Sequence, residues 1–147
     1  MEDGQEFPQT FPGFGKMIGL RPVSIGDGKC VVETDVLRTH LNAGGVAHGG
    51  LHATILDTAL GGALLSVISP EEWCATAELI ISYIRPAHEG MLLTAEGWIV
   101  RRGKNLAHME GDLKDSSGAL IATAKGTWAI WNNSVSYTHL RAHETPA

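Results

Sequence analysis

The sequence predicts an α+β fold, in which one long buried helix precedes an antiparallel sheet. After Gly49 and Gly50, apolar residues cover every side of a helical wheel as far as Ile68, the pattern of a helix buried on all sides. Strand-like segments separated by short turns follow this run. Helix and strands segregated along the chain are typical of the α+β class.

The buried run contains one acidic residue, Asp57. An ionised carboxylate in apolar surroundings is costly unless something pairs with it. Asp57 therefore either points to solvent or is held for chemistry. Gly61 and Gly62 each weaken a helix by about 1 kcal/mol relative to alanine, so their presence favours close approach of a backbone or a ligand. The polar residues within the run argue against a membrane span.

The start of this helix is a second candidate for chemistry. The first turn of a helix has unpaired N–H groups and a partial positive charge. Gly49 and Gly50 would let a ligand oxygen come close, which suits a developing oxyanion. Asn42 could add an amide donor or bond its own backbone. His48 could be a helix cap or a hydrogen-bond partner in the reaction.

The chain divides by pattern into an arm, a domain and a tail. We expect an N-terminal arm over residues 1–14, one domain over 15–131, and a disordered or non-native tail over 132–147. Alternating and apolar segments predict strands within the domain. The predicted strands are residues 16–22, 29–38, 73–84, 91–101, 105–114 and 119–131, with hairpin turns at 102–103 and 115–118.

Size and composition limit the possible functions. A chain of 147 residues that is 44% hydrophobic suits one domain with a real core. The net charge of −5 provides no basic face for nucleic acid. Cys30 and Cys74 lie in strand-like segments and favour a reducing compartment. No secretion signal opens the chain, so we expect a cytoplasmic protein without a membrane partner. No metal-ligand spacing is convincing, and we expect no metal and no cofactor.

The residues around the helix carry a family resemblance. Asn42, the run 48–50 and Asp57 followed by small residues resemble the hotdog-fold acyl-CoA thioesterases of the phenylacetyl-CoA thioesterase type. Residues 76–87 and 101–104 resemble the same family, and the similarity spans about residues 15–131. The resemblance implies a curved antiparallel sheet wrapped round the central helix. It also implies hydrolysis of an acyl-coenzyme A to free acid and coenzyme A.

The resemblance also implies roles for individual residues. Asp57 would be the general base or the nucleophile, and Thr76 matches a hydroxyl position beside that carboxylate. The Gly49 N–H and the Asn42 side chain would bind the oxyanion. The predicted catalytic set is Asp57, Asn42, His48, Gly49 and Thr76, and the predicted substrate-binding set is Gly50, Tyr83, Arg85, His88, Arg101, Arg102, Gly103 and Lys104.

Helix geometry adds a prediction about assembly. Gly49 and Asp57 are eight residues apart, or about 12 Å along a helix axis. Both cannot touch one thioester carbon, so a shared site needs two subunits. We therefore expect a homodimer or a homotetramer, and the resemblance implies an acyl-CoA substrate. Two alternatives are a hotdog hydratase or dehydratase and a non-catalytic acyl-CoA binding protein. The first would need a catalytic histidine working with an acid, and His52 falls on a different face of the helix from Asp57.

Overall fold

The computed structural model describes residues 10–132 as an antiparallel six-stranded sheet around one long helix. The strand order is β1-β2-β4-β5-β6-β3, which confirms the predicted α+β architecture. Residues 1–9 and 133–147, with most of the predicted arm and tail, lie outside the described residues. The elements are α1 (Gly13–Ile18), β1 (Arg21–Gly26), β2 (Lys29–Asp35), a 3-10 turn (Arg38–His40), α2 (Gly49–Leu65), β3 (Glu72–Tyr83), β4 (Leu92–Arg102), β5 (Leu106–Lys114) and β6 (Leu120–Asn132).

The central helix α2 is confirmed, but it is not buried on all sides as the sequence predicts: residues 53, 54, 57, 58, 61 and 62 are half-buried and Leu65 is exposed, because the sheet covers only part of the helix. It contacts β1, β2, β3, β4, β5 and β6, so the sheet wraps around it. Its inner residues have no exposed surface: Ile55, Leu56, Ala59, Leu60, Ala63 and Leu64. The helix lies directly against β4, because a Cβ added at Gly97 would be 2.5 Å from the Ala59 carbonyl oxygen. The absence of a side chain at Gly97 thus sets the distance between helix and sheet.

The prediction of a first strand over residues 16–22 is wrong. Residues 13–18 form α1, and β1 begins only at Arg21. Gly19, with φ 78°, ends the helix in a left-handed conformation, and its N–H donates to the Lys16 carbonyl at 3.1 Å. A six-residue helix is too short to show a 3.6-residue period, which is why the pattern resembled a strand. The predicted strand over 29–38 is confirmed as β2 but ends earlier, at Asp35.

Strand β3 forms an edge of the sheet and is hydrogen-bonded to β6 alone. Its register against β6 shifts between Thr76 and Glu78, which marks a bulge. Four large apolar side chains in β3 or directly after it are exposed: Trp73, Ile80, Tyr83 and Ile84. The edge of the sheet nearest the functional residues is therefore open and apolar.

We expect Gly97→Ala to lower the free energy of unfolding by about 2 kcal/mol, because the added methyl would push the helix off the sheet. Gly61→Ala is the matched control, since its Cβ would meet Trp128 at an ordinary contact distance of 3.4 Å. It should raise the same free energy by about 1 kcal/mol through helix propensity. Urea denaturation followed by circular dichroism measures both, and equal stability of the two variants would contradict this account of the packing.

Candidate active site

Asp57 and Thr76, predicted to act together, are in contact. The Thr76 hydroxyl donates to Oδ1 of Asp57 at 2.7 Å. Thr76 adjoins the β3 bulge, a feature that commonly re-aims side chains, and Asp57 is half-buried in the middle of α2. Within residues 10–132, Oδ2 of Asp57 makes no hydrogen bond. One carboxylate oxygen is thus oriented while the other is available to a ligand or water.

The start of α2 presents a free amide. His48 is the N-cap, and its Nδ1 accepts from the Gly50 N–H at 2.8 Å. The His48 carbonyl accepts from the Leu51 N–H at 2.9 Å. In the described part of the chain, the Gly49 N–H has no hydrogen-bond partner. Of the two roles considered for His48, capping is the one observed, and it leaves Gly49 as the available donor.

Tyr83 fixes the peptide at Gly49. Its hydroxyl donates to the Gly49 carbonyl at 2.7 Å, and a Cβ at Gly49 would be only 3.1 Å from that hydroxyl. The tyrosine ring also packs against His52, with ring centroids 5.7 Å apart. Tyr83 therefore positions the helix start. Sequence analysis could not predict this role, because Tyr83 and Gly49 are 34 positions apart in the chain.

Of the two roles considered for Asn42, bonding of the nearby backbone is the one observed. Its side-chain Oδ1 accepts from the N–H groups of Gly44 at 2.9 Å and Val46 at 3.4 Å. These bonds hold the loop that precedes α2. The side-chain amide nitrogen has no partner among residues 10–132. It remains an unpaired donor in the loop that leads into α2.

The histidine chemistry of a hydratase has no counterpart at Asp57. His52 is 2% exposed, and its Nδ1 is buried without a hydrogen-bond partner. Burial lowers the pKa of His52, so the ring stays neutral near pH 7. It contacts Tyr83, and no histidine in the described residues hydrogen-bonds to Asp57. The same residues contain no group of three His, Cys, Asp or Glu side chains arranged for a metal.

The basic residues on the β4–β5 turn lie at the start of β3. Arg102 pairs with Glu72, with Nη2 and Oε2 2.5 Å apart. The pKa of Glu72 is lowered by the Ser69 backbone N–H and then by Arg102. Arg101 and Lys104 are exposed, and within the described chain they form no ion pair. Because Glu72 precedes Thr76 by four residues, this turn is about 13 Å from the carboxylate site.

The remaining predicted binding residues lie at the opposite end of β3. Arg85 donates from Nη1 to the Leu120 carbonyl at 3.4 Å. The backbone N–H of His88 donates to the Met91 sulfur at 3.0 Å. The loop that contains them joins the helix start through the Ala47 N–H and the Ala87 carbonyl, 2.8 Å apart. The structure thus separates the predicted substrate-binding residues into two groups.

A cavity of about 280 Å³ opens beside Asp57. One wall is the outer face of α2. The other walls come from the residue two positions before α1 and from strands β1, β2 and β6. Its lining residues are Phe11, Ile25, Cys30, Asp57, Thr58, Gly61, Gly62, Leu65 and Trp128. Burial raises the pKa of the Cys30 thiol to about 11, so this thiol is not a ready nucleophile. Sequence reasoning missed Trp128, whose apolar position indicated only core packing.

Comparison with known proteins identifies the family. The thioesterase superfamily model matches residues 44–122. Human acyl-coenzyme A thioesterase 13 is 32% identical over 121 residues, or 81% of this chain and 86% of that protein. A variant of the phenylacetic acid degradation protein PaaI from Thermus thermophilus is 25% identical, with a TM-score of 0.73 over 79% of this chain and 96% of that one. A hypothetical thioesterase protein from Streptococcus pneumoniae, solved with coenzyme A, is 26% identical, with a TM-score of 0.72 over 78% of this chain and 90% of that one.

The fold is therefore that of a hotdog-fold thioester hydrolase. The chain belongs to the thioesterase superfamily. The resemblance noted in the sequence is confirmed at the level of fold, family and reaction class. In the described part of the chain, no helix has the length and apolar character needed to cross a membrane.

Proposed function

We propose that the protein hydrolyses acyl-coenzyme A thioesters, with Asp57 as general base or nucleophile. The observation that carries this proposal is the Thr76–Asp57 hydrogen bond, which orients a carboxylate beside an apolar cavity. The human relative is an acyl-coenzyme A thioesterase, and the Streptococcus pneumoniae relative was solved with coenzyme A. Both support coenzyme A as the leaving thiol.

The available groups match the needs of thioester hydrolysis. As a base, Asp57 takes a proton from water while the water oxygen bonds to the thioester carbonyl carbon. The carbonyl oxygen becomes an oxyanion that accepts from the Gly49 N–H and the Asn42 amide. The C–S bond then breaks, and the sulfur leaves with the electron pair and is protonated. As a nucleophile, Asp57 would form an anhydride that water opens to the same products.

Two subunits are needed to build this site. Gly49 and Asp57 lie on the same helix α2, about 12 Å apart along its axis. One carbonyl carbon cannot be within reach of both. We propose that each site combines Asn42 and Gly49 of one subunit with Asp57 and Thr76 of another. The minimal assembly is a homodimer, which a homotetramer would repeat.

The open edge of β3 supports this assembly. A long apolar edge strand is a ready template for pairing with a second chain. A two-fold axis pairs β3 with its copy in antiparallel fashion, so the Thr76 end of one strand lies beside the Tyr83 end of the other. Tyr83 contacts Gly49, and Thr76 contacts Asp57. Such pairing would bring the two halves of the site together.

The same pairing would bring the two groups of predicted substrate-binding residues close together. The β4–β5 turn lies at the Glu72 end of β3, and Arg85 with His88 lies beyond the Tyr83 end. Across a two-fold axis, the turn of one subunit adjoins the Arg85 loop of its partner. We propose that Arg101 and Lys104, which have no ion pair in the described chain, contact the coenzyme A phosphates.

Free buried thiols at Cys30 and Cys74 favour a cytoplasmic setting.

Asp57→Asn tests the catalytic carboxylate, because it keeps the shape and removes the basic oxygen. We expect kcat on a panel of acyl-CoA thioesters to fall by about a hundredfold or more. Release of thiol, followed with a thiol-reactive dye, measures the rate. Asp27→Asn is the control, since Asp27 lies in an exposed turn. Activity of Asp57→Asn close to wild type would reject Asp57 as base or nucleophile.

The double variant Arg101→Ala/Lys104→Ala tests the phosphate contacts. Such contacts stabilise the ground state and the transition state equally, so KM should rise about fivefold while kcat changes little. The dependence of KM on salt should also become weaker. Lys114→Ala, at the other end of β5, is the matched control. A low-salt KM equal to that of wild type would rule out this assignment.

Mixing two inactive variants tests the shared site. Asn42→Ala and Asp57→Ala homodimers should both be impaired. In a heterodimer, one site collects both lesions and the other collects neither. After one-to-one co-refolding, about half of the dimers are mixed, so activity should recover to about a quarter of wild type.

Native mass spectrometry provides the control for this mixing experiment by confirming that subunits have exchanged. If exchange is complete and activity stays at the average of the two variants, each site is built within one subunit. The shared-site proposal would then be wrong, whereas the thioesterase assignment would stand.

A further inference from the structure

The cavity beside Asp57 has a polar group that the hydrolysis mechanism does not use. Most of its lining is apolar or glycine. The Thr58 hydroxyl is occupied, because it donates to the Thr54 carbonyl at 2.8 Å. The indole N–H of Trp128 is different, since it makes no hydrogen bond to any residue between 10 and 132. It is therefore a donor available to whatever occupies the cavity.

The position of Trp128 makes this unpaired donor significant. The residue as a whole is only 2% exposed, so few groups can reach its N–H. Nε1 itself keeps some accessible surface, because in the described residues the fully buried side-chain atoms without a partner are Nε2 of His40 and Nδ1 of His52. Nε1 would be 3.4 Å from a Cβ at Gly61. The missing side chain at Gly61 leaves a path from the cavity to the indole nitrogen.

We propose that Trp128 determines acyl specificity by donating its indole N–H to an oxygen acceptor on the acyl group. This inference rests on the proposed thioesterase function, which places the acyl group in the cavity next to Asp57. Gly61 follows Asp57 by one helical turn, so the donor lies about 6 Å along the helix from the carboxylate. The acceptor is thus expected near the fifth carbon of an acyl chain.

The volume of the cavity indicates the size of acyl group that it can hold. Its volume of about 280 Å³ is roughly twice that of a cavity of about 150 Å³ that binds benzene. It accommodates an acyl group of roughly ten non-hydrogen atoms. The preferred substrate class is therefore a compact acyl-CoA that has a keto, ether or hydroxyl oxygen at mid-chain.

A matched pair of thioesters tests this inference: hexanoyl-CoA and 5-oxohexanoyl-CoA. The keto oxygen can only accept, so it reports on N–H donation. We expect wild type to favour the oxo substrate in kcat/KM by about fivefold, the scale of one neutral hydrogen bond. In Trp128→Phe, which removes the N–H, the ratio should fall to about one. Trp131→Phe, on the other face of β6, is the control and should keep the wild-type ratio.

Gly61→Ala makes the test independent of how well Trp128→Phe folds. Its methyl would sit 3.4 Å from Nε1 without a clash, which covers the donor while retaining the indole. The ratio should again fall toward one. Equal wild-type kcat/KM for both substrates, or a fivefold ratio that survives in Gly61→Ala, would overturn the inference while thioesterase function stands. Hydrolysis of neither thioester would instead count against the proposed function.

Discussion

The structure depends on one constraint: a carboxylate must stay reachable on a helix whose other sides are packed against the sheet. Helix α2 is apolar on the sides that face the sheet, so the sheet curves around it to remove that apolar surface from water. Complete enclosure would leave Asp57 desolvated and unpaired, which is costly. The fold meets both demands by keeping a gap beside Asp57 and supplying the Thr76 hydroxyl from the edge strand.

Rigid placement of the helix follows from close packing against β4. Gly97 lets the helix backbone rest directly on the sheet, so α2 has little freedom to slide or tilt. Because Gly49 and Asp57 belong to this one rigid element, the distance between the free amide and the carboxylate is fixed by helix geometry alone. That fixed distance is the basis of the proposal that each site combines residues of two chains.

The sequence predicted features with a local period and missed those that depend on distant contacts. The long apolar run of the helix, with one carboxylate inside it, and the alternation of the later strands are local patterns, and both elements are found in the structure. The helix α1 was missed because six residues cannot establish a period. The Thr76 bond was expected only through family resemblance. The Tyr83 bond to Gly49 and the placement of Trp128 against Gly61 join residues far apart in sequence. No local pattern encodes them.

The Tyr83–Gly49 bond has a consequence for control of the enzyme. Tyr83 belongs to the open edge strand β3 and also holds the carbonyl of the residue whose amide is free at the helix start. A movement of this strand would therefore turn the Gly49–Gly50 peptide, whose N–H is held by the His48 cap. The edge of the sheet and the first turn of the helix are thus mechanically linked.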